Sequence, residues 1–361
     1  MTVGIINPRL IDERFGDGPR YYLYEPKDID MRIPDQVRKC VLFIGLPDMP
    51  EPEYRGTGFI ATVPGTQSNT FAFMVTARHV AERLQGKEYY IRANKRDRTA
   101  IALKGKADDP WWFHPTDKKH VDEAVTLFAP SQLNQLDIEH VPFAMFINHG
   151  TLEQQNIGVG DEVFIPGLFT KITETTRNLP IVRTGTIAMI PGERIPFGDD
   201  FIDAYLIEAR SIGGLSGSPV FVRQTVAMET SSSPMIMTGR RPDGVLHGIG
   251  GKIYLLGSMI GHWDVPEGFS PTQAEAVNMG IAPVVPASKI LEIIFQPALV
   301  KIMDEVNAKM KAMNRKGATL DFAPSTKTQT TDKGFEIPIP TDEQFEATLK
   351  KASRKVEAKK S

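Results

Sequence analysis

The most constraining feature of this sequence is a series of short β-type runs between Val37 and Val285. Each run is rich in β-branched, aromatic or small apolar residues, and Gly or Pro separates it from the next. Typical runs are CVLFIGL, GTGFIATV, AFMVT, DEVFIPG, IVRTGTIAMI and YLLGSM. An α/β fold would alternate such runs with long helical periods, which this region does not show. The pattern therefore predicts an all-β barrel or sandwich.

Helical patterning starts only after Pro286. Ser288 is predicted to cap a helix, Pro297 to break it, and a second amphipathic stretch to continue towards a stop at Gly317. The apolar positions of the two stretches are Ile290, Leu291, Ile293, Ile294, Leu299, Val300, Ile302, Met303, Val306 and Met310. Their spacing places them on one face of each helix. The sequence thus predicts C-terminal helices attached to a β domain.

Composition limits the partners and the compartment. The 361 residues are 41% hydrophobic and 24% charged, which is typical of a folded globular protein. The formal net charge of -2 lacks the basic surplus that nucleic acid requires, so we expect no nucleic-acid partner. Cys40 is the only cysteine, which excludes an intrachain disulfide and a multi-thiolate metal site and favours a reducing compartment. No apolar run is long enough to span a bilayer, so we expect a cytoplasmic protein with no membrane partner. We also expect no cofactor.

Three short motifs carry the groups of a nucleophilic hydrolase. TARHV ends one run at His79, DEAV begins another at Asp122, and GLSGSP places Ser216 in a glycine-lined turn before a third. Asp122 follows His79 by 43 residues, and Ser216 follows Asp122 by 94 residues. Peptide hydrolysis at neutral pH needs a hydroxyl nucleophile, a base and a group that orients the base. The order of the three residues and their spacing agree with the serine-peptidase triad, in which the gaps are about 45 and about 93 residues.

These motifs resemble the T-A-x-H, D-x-A and G-x-S-G-G-P motifs of trypsin-like serine peptidases. GTGFIATV also resembles the strand before their histidine motif, and VGDEVFIPG, VRTGTIAMI and NMGIAPVVPASKILEII resemble segments of bacterial HtrA-type peptidases. The resemblance covers residues 36–298. It implies two six-stranded antiparallel β-barrels of the chymotrypsin type. The residues after 298 are too few and too helical to supply the PDZ domain of HtrA-type enzymes, so we expect the protease module alone.

The expected organisation of the chain follows from this coverage. The segments are an N-terminal extension at 1–35, a peptidase domain at 36–298 with barrels at about 36–138 and 155–285, a helix at 299–317, and a linker with a short terminal helix at 318–361. An enlarged loop is expected between residues 224 and 251.

The resemblance also implies a role for each motif residue. Ser216 would attack the scissile carbonyl, His79 would take and return the proton, and Asp122 would orient the imidazole. The oxyanion would be bound by the backbone N–H groups of Gly214 and Ser216, because glycine at 214 can adopt the backbone conformation that this requires. Leu215 replaces the acidic residue that pairs with a new N-terminus in digestive zymogens, so that activation route is not expected.

A specificity pocket is implied in the same way. Its walls would include Arg210, Ile212, Ile260, Gly261, His262 and Gly280. Arg210 lies near the position of the trypsin aspartate, which disfavours cleavage after basic residues. Selection of acidic side chains by Arg210 and a surface ion pair are both open. Ser218, which replaces the second glycine of the serine motif, is small enough to be tolerated there.

Several alternatives have to be weighed. The position of Asp122 has competitors nearby, namely Asp117, Glu123, Asp199, Asp200 and Asp203. An α/β-hydrolase esterase would require G-x-S-x-G between a strand and a helix, whereas Ser218 stands in place of the last glycine and a strand follows. A catalytically silent protease-fold protein that binds peptides would carry the same motifs. The expected partners are a protein or peptide substrate and either a regulatory protein or a second copy of the chain.

Overall fold

The computed structural model describes residues 33–46, 53–65, 70–170, 176–210, 214–223, 253–261, 280–314, 328–330 and 336–338. The first strands are β1 (Val41–Leu46), β2 (Glu53–Pro64), β3 (Thr70–Thr76), β4 (Tyr89–Asn94), β5 (Ala100–Gly105), β6 (Trp112–Phe113), β7 (Ala124–Leu127) and β8 (Val141–Pro142). The later strands are β9 (Glu162–Gly167), β10 (Ile181–Met189), β11 (Ile195–Phe197), β12 (Asp200–Ile202), β13 (Tyr205–Glu208), β14 (Ser218–Arg223), β15 (Ile253–Met259), β16 (Ile281–Pro286), β17 (Thr328–Thr330) and β18 (Glu336–Pro338).

The helices are few and mostly short. They are α1 (Asp35–Lys39), α2 (Arg78–Leu84), α3 (His149–Gln154), α4 (Ala287–Ile294) and α5 (Pro297–Asn314), with 3-10 turns at Leu133–Gln135 and Phe143–Met145. The predicted all-β class is therefore confirmed, and so are the C-terminal helices. No helix among the described residues combines the length and the apolar character needed to cross a bilayer.

The second half of the chain forms a closed six-stranded barrel. Its strands follow the order β10-β13-β16-β15-β14-β9, and every neighbouring pair is antiparallel. Alternate residues point inward, and they build a fully buried aliphatic core from Val163, Ile165, Ile187, Ile207, Val220, Leu256 and Val284. One of the two predicted six-stranded barrels is thus confirmed.

The first half differs from the prediction in closure. It is an eight-stranded sheet in the order β5-β4-β1-β2-β3-β7-β6, to which β8 adds a parallel pair with β2. A closed barrel requires each strand to have two neighbours. Among the described residues β5 pairs only with β4, and β6 offers just two residues, Trp112 and Phe113, to β7. The described part of this sheet therefore lacks hydrogen-bonded closure.

A shared aromatic core joins the two halves and the C-terminal helices. Phe43 and Phe73 from the first sheet belong to one buried cluster with Phe164 and Phe221 from the barrel. Helix α4 contributes Leu291 to this cluster, and α5 contributes residues from its first turn onward. This packing fixes the first sheet against the barrel, which determines where their connecting loops meet.

The helix boundaries differ from the predicted ones by a few residues. Helix α4 begins at Ala287 directly after β16, with Pro286 at the N-cap, so Ser288 lies in its first turn and does not cap it. Pro297 is the first residue of α5. Its fixed φ and missing N–H suit that position, so the proline starts the second helix as well as separating it from the first.

Several predictions fall on residues outside the described ranges. These are most of the extension at 1–35, the enlarged loop at 224–251, the stop at Gly317 and the short terminal helix after 340. Within the predicted linker, β17 and β18 form an antiparallel pair of three residues each.

Candidate active site

His79 and Asp122 come together because their strands are paired. Strand β3 ends at Thr76, which lies opposite Ala124 at the start of β7. The residues that follow β3 and those that precede β7 therefore meet at one edge of the sheet. Asp122 Oδ2 lies 2.7 Å from His79 Nδ1, and Asp122 Oδ1 accepts the His79 backbone N–H at 2.9 Å.

These two bonds fix the orientation and the tautomer of the imidazole. A carboxylate only accepts hydrogen bonds, so the proton of neutral His79 resides on Nδ1, and Nε2 keeps its lone pair. The aspartate side chain is 11% exposed and the histidine side chain is 35% exposed. The Arg78 Nε lies 3.6 Å from Asp122 Oδ1 and adds a favourable charge. His79 can therefore act as a base towards a hydroxyl brought to Nε2.

Ser216 lies in a tight turn directly before β14. Gly214 has φ +97° and Gly217 has φ +84°, which is the left-handed region that glycine enters without a steric penalty. Between them, Leu215 is fully buried, and its carbonyl accepts the Ser218 N–H at 2.9 Å. The Gly217 N–H donates to the Met259 carbonyl at 2.7 Å. The turn is therefore anchored to the barrel on both sides of the serine.

The Ser216 turn also rests on the strand end that leads to His79. The Ser216 carbonyl accepts the Thr57 N–H at 3.0 Å, and the Thr57 carbonyl accepts the Thr76 hydroxyl at 2.7 Å. A Cβ at Gly217 would overlap the Thr57 carbonyl and approach the Ala77 nitrogen to 3.0 Å. Only glycine permits this close approach of the two segments. The structure thus brings the three predicted motifs to one place, where their catalytic roles stay a prediction.

The Ser216 hydroxyl itself has one long contact. Its Oγ donates towards the Ile260 carbonyl at 3.5 Å, near the outer limit for a hydrogen bond. Among the described residues no hydrogen bond joins Ser216 Oγ to His79. Such bonds are often long or poorly aligned in unliganded enzymes and tighten when substrate binds.

The two predicted oxyanion donors have no competing acceptor among the described residues. Neither the Gly214 N–H nor the Ser216 N–H donates to another described group. Because buried backbone N–H groups nearly always find an acceptor, two unused donors beside a hydroxyl are well suited to bind an anionic oxygen.

The predicted pocket residues are only partly described. Ile260 is buried, and the adjoining Gly261 faces the Phe197 ring, whose Cζ would lie 3.2 Å from a Cβ at 261. Arg210 is exposed at the end of β13, and Gly280, at φ +80°, accepts the Ala209 N–H at 2.8 Å. Ile212 and His262 lie outside the described residues.

Three of the acidic residues that compete with Asp122, namely Asp117, Asp200 and Asp203, have other partners. Asp117 binds Arg194 and His120, and the backbone N–H of Asp203 donates to the His120 carbonyl at 3.1 Å. Arg194 also bonds Asp203, so these side chains tie the β11–β12 hairpin to the loop that precedes Asp122. The surface residue Asp200 pairs with Lys119 at 3.1 Å. Position 122 is the one whose carboxylate reaches His79.

Sequence reasoning did not single out Thr57 or Phe197. Thr57 stands in the G-T-G-F run, and its contacts are long-range ones that a motif does not show. Phe197 lies on a hairpin without any motif, and only the tertiary structure brings its ring to Gly261.

Glu123, beside Asp122, is a buried carboxyl group. It is 0% exposed, and neither oxygen has a partner at normal hydrogen-bond distance among the described groups. Burial raises the pKa of Glu123 well above its ordinary value; the Ser258 hydroxyl and the Ala124 N–H offset this in part, whereas the Asp122 charge adds to it. The buried environment therefore disfavours the charged form of Glu123.

The burial of the Glu123 carboxyl leads to a prediction about how the free energy of unfolding depends on pH. A carboxyl whose pKa is raised in the folded state stabilises the fold below its unfolded pKa, and the contribution is lost as the pH rises through the folded value. Glu123→Gln removes the titration, so its free energy of unfolding relative to wild type should increase from about pH 4.5 upward, by up to ~1.4 kcal/mol per pH unit. Urea denaturation from pH 4 to 9 measures this slope. Glu88→Gln, which replaces an exposed carboxylate, serves as the control. If the free-energy difference from wild type changed with pH equally in the two variants, the assignment would be contradicted.

No protein-family model matches the sequence, and no curated protein matches it either. Solved structures with a similar arrangement include the MamO protease domain from Magnetospirillum magneticum, with 16% identity, a TM-score of 0.38, and coverage of 71% of this chain and 95% of that one. The tobacco vein mottling virus protease has 12% identity, a TM-score of 0.36, and coverage of 70% and 78%. An inactive mutant form of Rv3671c from M. tuberculosis H37Rv has 15% identity, a TM-score of 0.36, and coverage of 72% and 87%. At these TM-scores the similarity carries no information on activity, which has to come from the side chains of this chain.

Proposed function

We propose that this protein is a serine endopeptidase that uses Ser216, His79 and Asp122. The observation that carries the proposal is the pair of hydrogen bonds from His79 to one carboxylate, at 2.7 and 2.9 Å, beside a serine held between two left-handed glycines. The buried Thr57 bridge between the serine turn and the histidine strand supports the same assignment.

The proposed reaction has two halves. The Ser216 Oγ attacks the carbonyl carbon while His79 Nε2 takes its proton, and the Gly214 and Ser216 N–H groups stabilise the oxyanion. When the tetrahedral intermediate collapses, the C–N bond breaks, and His79 gives the proton to the leaving amine. A water molecule then loses its proton to His79, attacks the acyl group and releases the acid, and Ser216 regains its proton.

The second candidate is a catalytically silent binding protein of the same architecture. It is favoured by the contact of Ser216 Oγ with the Ile260 carbonyl, which does not place the hydroxyl on His79. The same cleft would then hold a peptide without cleaving it.

A serine-directed fluorophosphonate separates the two candidates. It captures only a serine that a base activates, so the enzyme should be labelled on Ser216, and prior heat denaturation should abolish the labelling. Mass spectrometry of the labelled peptide identifies the site. Absence of labelling in folded protein from pH 6 to 9 would reject the peptidase and leave the binding function.

We also expect poor cleavage after basic residues. Arg210 would lie near the side chain before the scissile bond, where a second positive charge is repelled. Matched peptides that differ only at this residue should give a kcat/KM at least about 10-fold lower for Arg than for Leu. Arg210→Ala should reduce the difference in kcat/KM between the Arg and the Leu peptide. Efficient cleavage after Arg by the wild-type protein would show that Arg210 does not line the pocket.

A further inference from the structure

Thr57 is a buried residue that forms hydrogen bonds both to the serine turn and to the end of the strand that leads to His79. Its side chain is 0% exposed and lies in β2, four residues after the start of that strand. The hydroxyl donates to the Gly214 carbonyl at 2.6 Å and accepts the Leu168 N–H at 3.0 Å. Its backbone N–H donates to the Ser216 carbonyl at 3.0 Å. One threonine thus holds both residues that carry the proposed oxyanion donors.

The same residue is tied to the histidine side of the site. The Thr57 carbonyl accepts the Thr76 hydroxyl at 2.7 Å, three residues before His79. A continuous chain of bonds therefore runs from the end of β3 through Thr57 to the serine turn. The first sheet carries the base and the barrel carries the nucleophile, so this chain joins the two halves where their alignment decides the Ser216 to His79 distance.

The hydroxyl has a specific consequence for Gly214. A left-handed glycine is free to adopt other backbone conformations, because it lacks the Cβ that would restrict it. Fixing the Gly214 carbonyl removes part of this freedom and thereby constrains the direction of the Gly214 N–H. A valine at position 57 would keep the shape of threonine but would leave the Gly214 carbonyl and the Leu168 N–H without this partner.

We propose that Thr57 is a positioning residue. Its hydroxyl holds the turn from Gly214 to Ser216 in a fixed position relative to His79. The inference rests on the proposed function, because it assigns Thr57 a part in the same catalytic site. Thr57 does not touch the substrate, so its effect should fall on the chemical step.

The test compares Thr57→Val with Thr57→Ser, which keeps the hydroxyl. With folded protein, verified by circular dichroism, Thr57→Val should lower kcat by about 10- to 100-fold and leave KM within about threefold. The rate of fluorophosphonate labelling should fall by a similar factor. Thr57→Ser should restore most of both rates. Should Thr57→Val fail to fold, Thr57→Ala, which leaves room for a bridging water, takes its place.

Thr126→Val is the matched control. Thr126 is also a buried threonine of the first sheet, and its hydroxyl donates to the Pro110 carbonyl at 2.8 Å, away from the serine turn. The Thr126→Val variant should have a lower thermal stability and a kcat within about twofold of the wild-type value. A kcat loss as large in Thr126→Val as in Thr57→Val, or a Thr57→Ser protein as impaired as Thr57→Val, would overturn the inference.

Amide hydrogen exchange tests the role of Thr57 without requiring that the protein be a peptidase. If Thr57 holds the turn, amide exchange at Leu168 and through residues 214–218 should accelerate at least about 10-fold in Thr57→Val and stay near the wild-type rate in Thr57→Ser. An unlabelled wild-type protein would overturn the peptidase function, and exchange alone would then decide whether Thr57 holds the turn. A labelled wild type with unchanged exchange and unchanged kcat in Thr57→Val would overturn the inference and leave the peptidase standing.

Discussion

Replacing Ser216 by alanine should abolish peptide hydrolysis, with kcat falling by about 10⁶-fold. The reason is that the acyl-enzyme can form only on the Ser216 Oγ, while oxyanion binding alone retains a small residual rate. The fold should survive, because among the described residues the hydroxyl makes one hydrogen bond, a long one of 3.5 Å to the Ile260 carbonyl. Single-turnover hydrolysis of a fluorogenic peptide, with the melting temperature measured in parallel, tests both statements.

Ser218→Ala is the matched control for this experiment. Ser218 lies two residues further along, and its buried Oγ has no hydrogen-bond partner among the described groups. Its loss should change kcat by less than about threefold. Hydrolysis by Ser216→Ala at the wild-type rate would reject Ser216 as the nucleophile. A deep loss in Ser218→Ala but not in Ser216→Ala would move the nucleophile to position 218.

The second large effect is expected for Asp122→Asn, which should lower kcat by about 10⁴-fold, the value typical of the corresponding change in serine peptidases. An asparagine amide turned towards Nδ1 donates a hydrogen bond, so the imidazole would carry its proton on Nε2 and could not accept one from Ser216. The KM should change little, because Asp122 lies behind the histidine. Measuring kcat and KM from pH 6 to 10 tests this.

Asp200→Asn is the appropriate comparison. Asp200 is one of the acidic residues that compete with Asp122 in the sequence, but it pairs with Lys119 on the surface. Asp200→Asn should leave kcat within about twofold of the wild-type value, since surface ion pairs contribute little to the stability of the fold. If Asp122→Asn retained most of the wild-type kcat, Asp122 would be a structural residue that anchors the His79 backbone.

The sequence indicated the local arrangement of the candidate residues wherever a motif lies at the end of a strand or in a turn. TARHV and DEAV end and begin strands that pair, so the spacing of the two motifs was enough to indicate that His79 and Asp122 meet. The glycine-lined turn expected around Ser216 is present, and Gly214 adopts the unusual backbone conformation that was expected there, with φ +97°. Local patterns of this kind determine backbone conformation, and a short run of residues is sufficient to specify it.

Long-range features could not be predicted in the same way. Among the described residues the first sheet does not close. The sequence could not show this, because closure depends on whether β5 and β6 find partners, and the alternation within each strand is the same in an open and a closed sheet. Asp117 pairs with Arg194 and His120, and Asp203 pairs with Arg194, whereas the Asp122 carboxylate contacts His79. The sequence does not show these pairings, because they depend on long-range contacts.

The triad motifs, the all-β class and the C-terminal helices were therefore determined by the sequence alone, since each follows from residue type and periodicity. The tertiary structure decided what joins them. Thr57 lies 157 positions from Gly214 and 111 from Leu168, yet its hydroxyl binds both. Contacts over such separations depend on how the first sheet and the barrel pack around their shared aromatic core, because packing alone determines which distant atoms come within 3 Å.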